Sequence, residues 1–113
     1  MTDVLLVFTH CPDDASADRI ARALVQNQLA ACVNRHGPVS SVYRWQGAVE
    51  QAAEVALVIK TTRDAYRAVE EAIRQMHPYD VPEIVAVPAE AGSAQYLRWI
   101  RESVAAPAPT YRA

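Results

Sequence analysis

Two short stretches of the sequence hold the residue types that bind metal ions or transfer protons. MHPYDVPE, residues 76–83, contains a histidine, a tyrosine, two carboxylates and two prolines. His10 and Cys11 adjoin at the end of an apolar run, just before Pro12. Imidazole and thiolate suit soft and borderline ions, and divalent copper outcompetes the other first-row metals at such ligands. We therefore take His77, Cys11 and His10 as candidate ligands of a divalent metal ion such as copper.

Each candidate ligand also has a structural interpretation. Pro78 must end the preceding helix, so His77 would lie at a helix C-terminus, where free carbonyls favour a protonated imidazole. Metal binding needs the neutral ring, so protonation would compete with the metal. Adjacent strand residues point to opposite faces, so His10 and Cys11 can share an ion only if Pro12 turns the chain. The sequence leaves open whether the first stretch is a binding site or a rigid connector.

The composition argues against several classes of function. The chain has 113 residues, of which 51% are hydrophobic and 21% charged, as in a single globular domain. A net charge of −2 without a basic cluster gives no reason to expect a nucleic acid or a membrane as partner. The apolar runs are shorter than the ~20 residues of a membrane span, and the N-terminus does not resemble a signal peptide. We therefore expect a cytoplasmic protein. In that compartment Cys11 and Cys32 are expected to be free thiols. No nucleophile lies at a recognisable spacing from a base, and the three glycines form no phosphate-binding loop, so we expect no enzyme activity.

Hydrophobic patterns predict the elements that position these residues. Residues 4–8, VLLVF, form a continuous apolar run that predicts a first strand. Apolar residues then recur at helical spacing, which predicts a first helix that Asp14 or Ser16 caps and that ends near Gln28.

A long hairpin is predicted in the middle of the chain. The extended pattern that begins at AACVN is interrupted by Gly37 and Pro38, where we expect a kink or a bulge. Gly47 marks the hairpin turn, and the return strand ends with residues 54–62. The result is an extended hairpin arm, residues 39–62.

The last third of the chain predicts a helix, a strand and a further helix. Thr61 or Thr62 can cap the second helix, which Pro78 ends. EIVAVP, residues 83–88, predicts the fourth strand, and the last helix begins near Ser93.

The order of these elements is that of the split βαβ, ferredoxin-like fold. We therefore predict an α+β domain, residues 1–106, built on an antiparallel βαββαβ sheet with an extended hairpin between its second and third strands and an added C-terminal helix. Residues 107–113 are predicted to form a flexible tail.

Three of the predicted strands are apolar along their whole length. VLLVF, VALVI and IVAV do not alternate apolar with polar residues, as an antiparallel sheet with one face in water should. Both faces of the sheet must therefore be covered. Two crossover helices cover one face and the C-terminal helix is too short to cover the other, so we expect other copies of the chain to do so.

Several motifs resemble those of the CutA family of divalent-cation tolerance proteins: AACVN at residues 30–34, SVYRWQG at 41–47, VIKTT at 58–62, HPYDVPEIVAVP at 77–88 and YLRWI at 96–100. They follow in the family's order and spacing through nearly the whole chain, and the pairing of YRW-x-G with HPY-x-x-PE is specific. The resemblance implies a ferredoxin-like protomer, a homotrimer with interlocked sheets, and a role in tolerance of copper and other divalent ions. With no catalytic set of residues in the sequence, we expect this role to be non-catalytic.

The resemblance also bears on the candidate ligands. In some members of the family, copper is associated with a thiol at the end of the first strand and with a histidine before the PY pair. His77 matches that histidine and follows Met76, where some members have a second histidine. The strand position is Thr9 here, with His10 and Cys11 just beyond it.

The implied trimer resembles the nitrogen-regulatory signal-transduction proteins, which bind nucleotides in clefts between subunits. Tyr43 and Trp45 would face one side of the hairpin and either wall such a cleft or pack within the trimer. Glu83 needs a partner where it enters a buried strand, and Arg44 or Lys60 could supply it. The predicted inter-subunit cleft comprises Cys32, Tyr43, Arg44, Trp45, Lys60, Tyr79 and Glu83. A small molecule in this cleft is the alternative to a metal ion as the ligand.

Overall fold

The computed structural model of the protein describes residues 2–105 and confirms the predicted order of elements. The elements are β1 (Val4–Cys11), α1 (Asp14–Gln26), β2 (Cys32–Trp45), β3 (Ala48–Thr62), α2 (Tyr66–Met76), β4 (Val85–Pro88) and α3 (Ala94–Ser103). The strands form one antiparallel sheet in the order β2-β3-β1-β4, which is the ferredoxin-like arrangement. The predicted tail, residues 107–113, lies outside the described residues.

The first face of the sheet carries the main hydrophobic core. Alternate residues of β1 and β3, among them Val7, Leu57 and Ile59, are fully buried against α1 and α2. Ile20 from α1 and Ile73 from α2 are equally inaccessible and close the core. The apolar helix stripes that the sequence predicts therefore face the sheet.

The second face of the sheet is covered only at one end. There Leu97 and Ile100 of α3 pack on Val4, which is buried. Beyond them, antiparallel pairing places a run of partly or largely exposed apolar residues side by side, comprising Leu6, Phe8, Val58, Val85 and Val87. The exposed fraction reaches 50% at Val85 and 43% at Val87. Apolar and polar residues do not alternate along these strands because both faces of the sheet are apolar. Within this protomer, however, helices fully cover only the first face.

Several boundaries differ from the predicted ones. β1 extends three residues past the predicted end, because His10 and Cys11 continue the ladder by pairing with Ala56 and Val55. The cap of α1 is Asp13, one residue before the nearer candidate, and its side chain accepts a hydrogen bond from the Ser16 amide at 2.8 Å.

The second helix begins later than predicted. Thr61 and Thr62 remain in β3, and α2 begins at Tyr66 after an intervening turn, so neither threonine is its cap. The predicted end is confirmed, because α2 ends at Met76 and His77, the residue before Pro78, is its C-cap.

The hairpin has the predicted interruption and turn. Gly37–Pro38 is a cis peptide, and the register of β2 against β3 shifts between His36 and Val39. Gln46 and Gly47 both have positive φ, 51° and 84°, which suits a two-residue turn between twisted strands. Within residues 2–105, no helix is long and apolar enough to cross a bilayer.

Candidate functional site

A cleft of about 730 Å³ opens at the end of the second face that is remote from α3. One wall is the connector between α2 and β4, which contributes residues 78–83. The other wall is the β2–β3 hairpin, and His10, next to the last residue of β1, also lines the cleft. The two prolines of the connector hold its polar residues over the sheet, so the segment is both a rigid connector and part of a cleft.

The cleft is rich in negative charge. Three carboxylates line it, those of Glu54, Asp80 and Glu83, against a single imidazole, that of His10. In the part of the chain that the structure describes, no lysine or arginine lines it. A concave surface with charges of one sign concentrates the field, so this cleft attracts cations.

Aromatic rings form the remaining walls. Tyr43 and Trp45 project from β2, and Tyr79 projects from the connector. All three residues are substantially exposed in the protomer and line the cleft, although the Tyr79 ring also packs against the His77 ring at a centroid distance of 4.8 Å. The faces of aromatic rings carry partial negative charge and add to the attraction for cations.

Glu54 lies at the deep end of the cleft and is 8% exposed. Its carboxylate accepts a hydrogen bond of 2.7 Å from the Tyr79 hydroxyl. Partial burial of that hydroxyl, followed by its bond to Glu54, raises the pKa of Tyr79. Tyr79 therefore stays protonated and remains a donor to Glu54 at any physiological pH.

His10 and Glu83 form the rim of the cleft. The distance from His10 Nδ1 to Glu83 Oε1 is 2.7 Å, so the expected partners of Glu83, Arg44 and Lys60, were wrong. The register explains the correction, because β4 lies alongside β1 and brings Glu83 to the end of that strand. A carboxylate on one imidazole nitrogen is the arrangement that orients the other, Nε2, toward a metal.

His77 uses both of its ring nitrogens within the fold. The Tyr79 amide donates to Nδ1 at 3.1 Å, so the proton sits on Nε2, which donates to the His10 carbonyl at 2.7 Å. This network fits a neutral imidazole rather than the protonated one that a helix C-terminus alone would favour. His77 is buried and ties the end of β1 to the end of α2, so the ring has no free lone pair for a metal.

Cys11 lies on the first face, away from the cleft. It is fully buried in the main core, and burial raises the pKa of its thiol to about 11. β1 continues straight through Cys11, so Pro12 does not bring its thiol and the His10 ring to one ion. Thr9, the strand position that the resemblance singles out, is also buried on the first face.

The predicted metal ligands therefore do not form a cluster in the protomer. Between residues 2 and 105, no group of three or more histidine, cysteine, aspartate or glutamate side chains is placed so that it could hold a metal ion. Of the three candidates, the arrangement suits His10 alone, because it has an oriented ring at an open surface. The assignment of His77, Cys11 and His10 as ligands stays a prediction.

Native alkylation should distinguish the two free thiols. We expect iodoacetamide at pH 8 to leave Cys11 unmodified, because it is inaccessible and its pKa of about 11 leaves about one thiol in a thousand ionised. Peptide mass spectrometry would give the extent at each cysteine, with unfolded protein as the control in which both react. Equal rates at Cys11 in native and unfolded protein would contradict its placement.

The structure brings together four of the seven residues predicted for a cleft: Tyr43, Trp45, Tyr79 and Glu83. Cys32 and Lys60 pair with each other across β2 and β3 toward the opposite end of the second face, where the Lys60 ammonium lies 5.7 Å from the Tyr96 ring. Arg44 is exposed on the hairpin and does not line the cleft.

Glu54 was missed by the sequence analysis. The sequence pattern that could have identified Glu54 is the one that identified Glu83. Each is a carboxylate at the start of an apolar run, which is EVALVI for Glu54. A charge that enters a buried strand needs a partner, and that argument applies equally to both residues.

The fold and the cleft define a ferredoxin-like α+β protein with an acidic, aromatic cleft on its open sheet face. Residues 5–103 match the family described as CutA1 divalent ion tolerance protein, and the chain belongs to that family.

Relatives and solved structures agree with this assignment. The chain is 45% identical over 103 residues to the divalent-cation tolerance protein CutA of Thermus thermophilus, covering 91% of this chain and 98% of the relative. It is 41% identical to the human protein CutA over 88% of its own length, but it spans only 55% of that relative. A crystal structure of CutA from Xylella fastidiosa superposes with a TM-score of 0.90 at 42% identity, covering 92% of this chain and all of the other.

Proposed function

We propose that this member of the divalent ion tolerance family acts without catalysis, as a homotrimer whose acidic cleft receives cations. The observation that carries the proposal is the second sheet face, which is apolar, incompletely covered and continuous with the cleft. The partner, the ion and the cytoplasmic location are predictions.

The support for assembly is the run of apolar side chains on the second face. Phe8 and Leu6 lie at its centre, flanked by Val85 and Val87 on one side and Val58 on the other. A large exposed apolar patch on a globular protein usually marks an interface. A second copy is the occupant that the sequence analysis expects, and the number three comes from the family resemblance.

The support for a non-catalytic role is the placement of the thiol and the imidazoles. Nucleophilic catalysis by cysteine needs a thiolate beside a base. The Cys11 thiol lies in the core on the first face, whereas His10 projects from the second. His77 is committed to two backbone hydrogen bonds and cannot act as a base without breaking one of them.

The support for metal contact is the His10–Glu83 pair. The ion would bind His10 Nε2, and Glu83 would fix the ring, with the remaining ligands from water or another copy of the chain. One imidazole alone is a weak site, so we expect affinity for divalent copper to depend on assembly.

A copper titration with a matched variant tests this contact. We expect calorimetry under a weak competing chelator to give one ion per chain, with affinity at least about tenfold weaker in His10→Ala. His36→Ala is the control, because His36 is exposed on β2 and lies outside the cleft. Equal affinity in native and His10→Ala protein, or loss of affinity in His36→Ala, would contradict the assignment.

A second function is supported by the volume and walls of the cleft. Small-molecule sites typically enclose about 300–1,000 Å³ and combine apolar walls with a few polar groups. The cleft, at about 730 Å³ with three aromatic rings, falls within that class. The alternative is therefore a ligand-sensing trimer whose effector is a small molecule in this cleft.

A further inference from the structure

We propose that the cleft binds a small organic cation, an ammonium ion held by Glu54 and the surrounding aromatic rings. The inference rests on the second proposed function, that of a small-molecule site, and adds the chemical class of the ligand.

The first argument is the state of Glu54. Glu54 is more than nine-tenths buried, yet its carboxylate accepts a single side-chain hydrogen bond among residues 2–105, from the neutral phenol of Tyr79. Among residues 2–105, no lysine, arginine or histidine forms an ion pair with it. A carboxylate withdrawn from water without a cation is costly, and a ligand that supplies a positive charge removes that cost.

The second argument is that no lysine or arginine side chain among the described residues lines the cleft, so an anion would find no unpaired cation there. His10 is the only basic side chain among the described lining residues, and it is already paired with Glu83. Asp80 adds a further exposed carboxylate on the connector. An anionic ligand such as a phosphate would meet repulsion, and a neutral ligand would leave Glu54 without a counter-charge.

The third argument is that the surroundings of Glu54 suit an organic cation better than a metal ion. A hard divalent ion needs several oxygen ligands, and within the described chain Glu54 belongs to no group of three or more histidine, cysteine, aspartate or glutamate side chains that could hold a metal ion. Tyr43, Trp45 and Tyr79 offer ring faces instead. An ammonium ion can exchange part of its hydration for such faces, whereas a strongly hydrated metal ion cannot do so as easily.

Three probes of nearly equal shape test the charge of the ligand. Choline is cationic, 3,3-dimethyl-1-butanol is its neutral counterpart, and 3,3-dimethylbutanoate is the anionic one. We expect calorimetry on the native protein at constant ionic strength to detect choline binding, with the neutral probe at least about tenfold weaker and the anion undetected.

Variants then locate the site. We expect Glu54→Gln to weaken choline binding at least about tenfold, and Trp45→Leu to weaken it by about three- to tenfold. Glu90→Gln is the carboxylate control, because Glu90 is exposed and outside the cleft. Trp99→Leu is the aromatic control, since Trp99 is 46% exposed and Trp45 45%. Both controls should bind choline like the native protein.

Circular dichroism shows whether each variant folds. If Glu54→Gln does not fold, Asp80→Asn replaces it, because Asp80 is exposed, and a two- to threefold loss is expected from the weaker charge effect. Neutral or anionic probes that bind as well as choline would overturn the inference but leave a small-molecule cleft. No binding by any probe at tens of millimolar would overturn both, and unchanged choline affinity in the cleft variants would place binding elsewhere.

Discussion

Val87→Lys is expected to convert the assembled protein into single chains. Light scattering after size exclusion should give a mass near 12.4 kDa for the variant and three times that mass for the native protein. Val87 pairs with Leu6 on the second face, next to Phe8 and Val85. An ammonium group placed in that apolar surface would have to lose its water without a partner, which costs several kcal/mol per chain contact. We expect the dissociation constant to rise by at least about a hundredfold.

Val25→Lys is the matched control for this prediction. Val25 is 42% exposed and Val87 43%, but Val25 lies on α1, on the opposite side of the molecule. Its replacement should leave the mass unchanged. Assembly of the Val87 variant to the native mass would show that the second face is not the interface, and a native protein that runs as a single chain would contradict assembly itself.

His77→Ala is expected to lower the free energy of unfolding by about 2–4 kcal/mol, because it leaves two backbone groups without partners and opens a cavity. The groups are the His10 carbonyl and the Tyr79 amide, which the ring links across the end of β1 and the start of the connector. Chemical denaturation at fixed protein concentration measures the change.

The same experiment separates a structural role of His77 from a metal-binding one. If the ring acts through its two hydrogen bonds, the loss should be the same with and without a strong chelator. His36→Ala, at an exposed position of β2, should change stability by less than about 0.5 kcal/mol. A loss in His77→Ala that disappears once metal is removed would show that His77 is a ligand after all.

Local patterns were sufficient to predict the architecture of the protein. Pro78 ends α2, α3 begins next to Ser93, and Gly47 lies in the hairpin turn, as predicted. The structure adds that the Ser93 side chain caps α3 by accepting a hydrogen bond from the Tyr96 amide at 3.3 Å. The apolar runs do place apolar side chains on both faces of the sheet, and the cover that they predict for the second face, another copy of the chain, stays a prediction. These features depend on neighbours close in sequence, so the sequence itself contains them.

The contacts of the cleft depend instead on strand register. Glu83 contacts His10, 73 residues away in sequence, because β4 pairs with β1. Arg44 and Lys60 were expected as partners of Glu83 only because they carry the opposite charge. His77 likewise meets the carbonyl of a residue 67 positions earlier. No local pattern predicts such pairs.

The end of β1 shows the same limit. The apolar run VLLVF stops at Phe8, but the strand continues to Cys11 because β3 supplies partners for the ladder. That extension puts the thiol of Cys11 in the core and the ring of His10 at the cleft. The pairing of β1 with β3 thus determines that His10, and not the adjacent Cys11, can contact a ligand in the cleft.

The apolar second face and the acidic cleft at its end correspond to the two parts of the proposed function, assembly and cation binding. In the proposed assembly, the face that α3 leaves open would bring copies of the chain together, and cations would enter the acidic cleft at its end. Cation binding should accordingly centre on His10 and the connector, residues 78–83, rather than on the buried residues Cys11 and His77.

Paramagnetic mapping tests that claim most directly. Divalent copper is added below one equivalent to nitrogen-15-labelled protein, and the loss of each amide signal is followed by NMR. We expect the amide signals of His10, of residues 79–81 and of Glu83 to vanish first, while those around the exposed His36 persist. First losses around His36, or uniform losses over the surface, would contradict it.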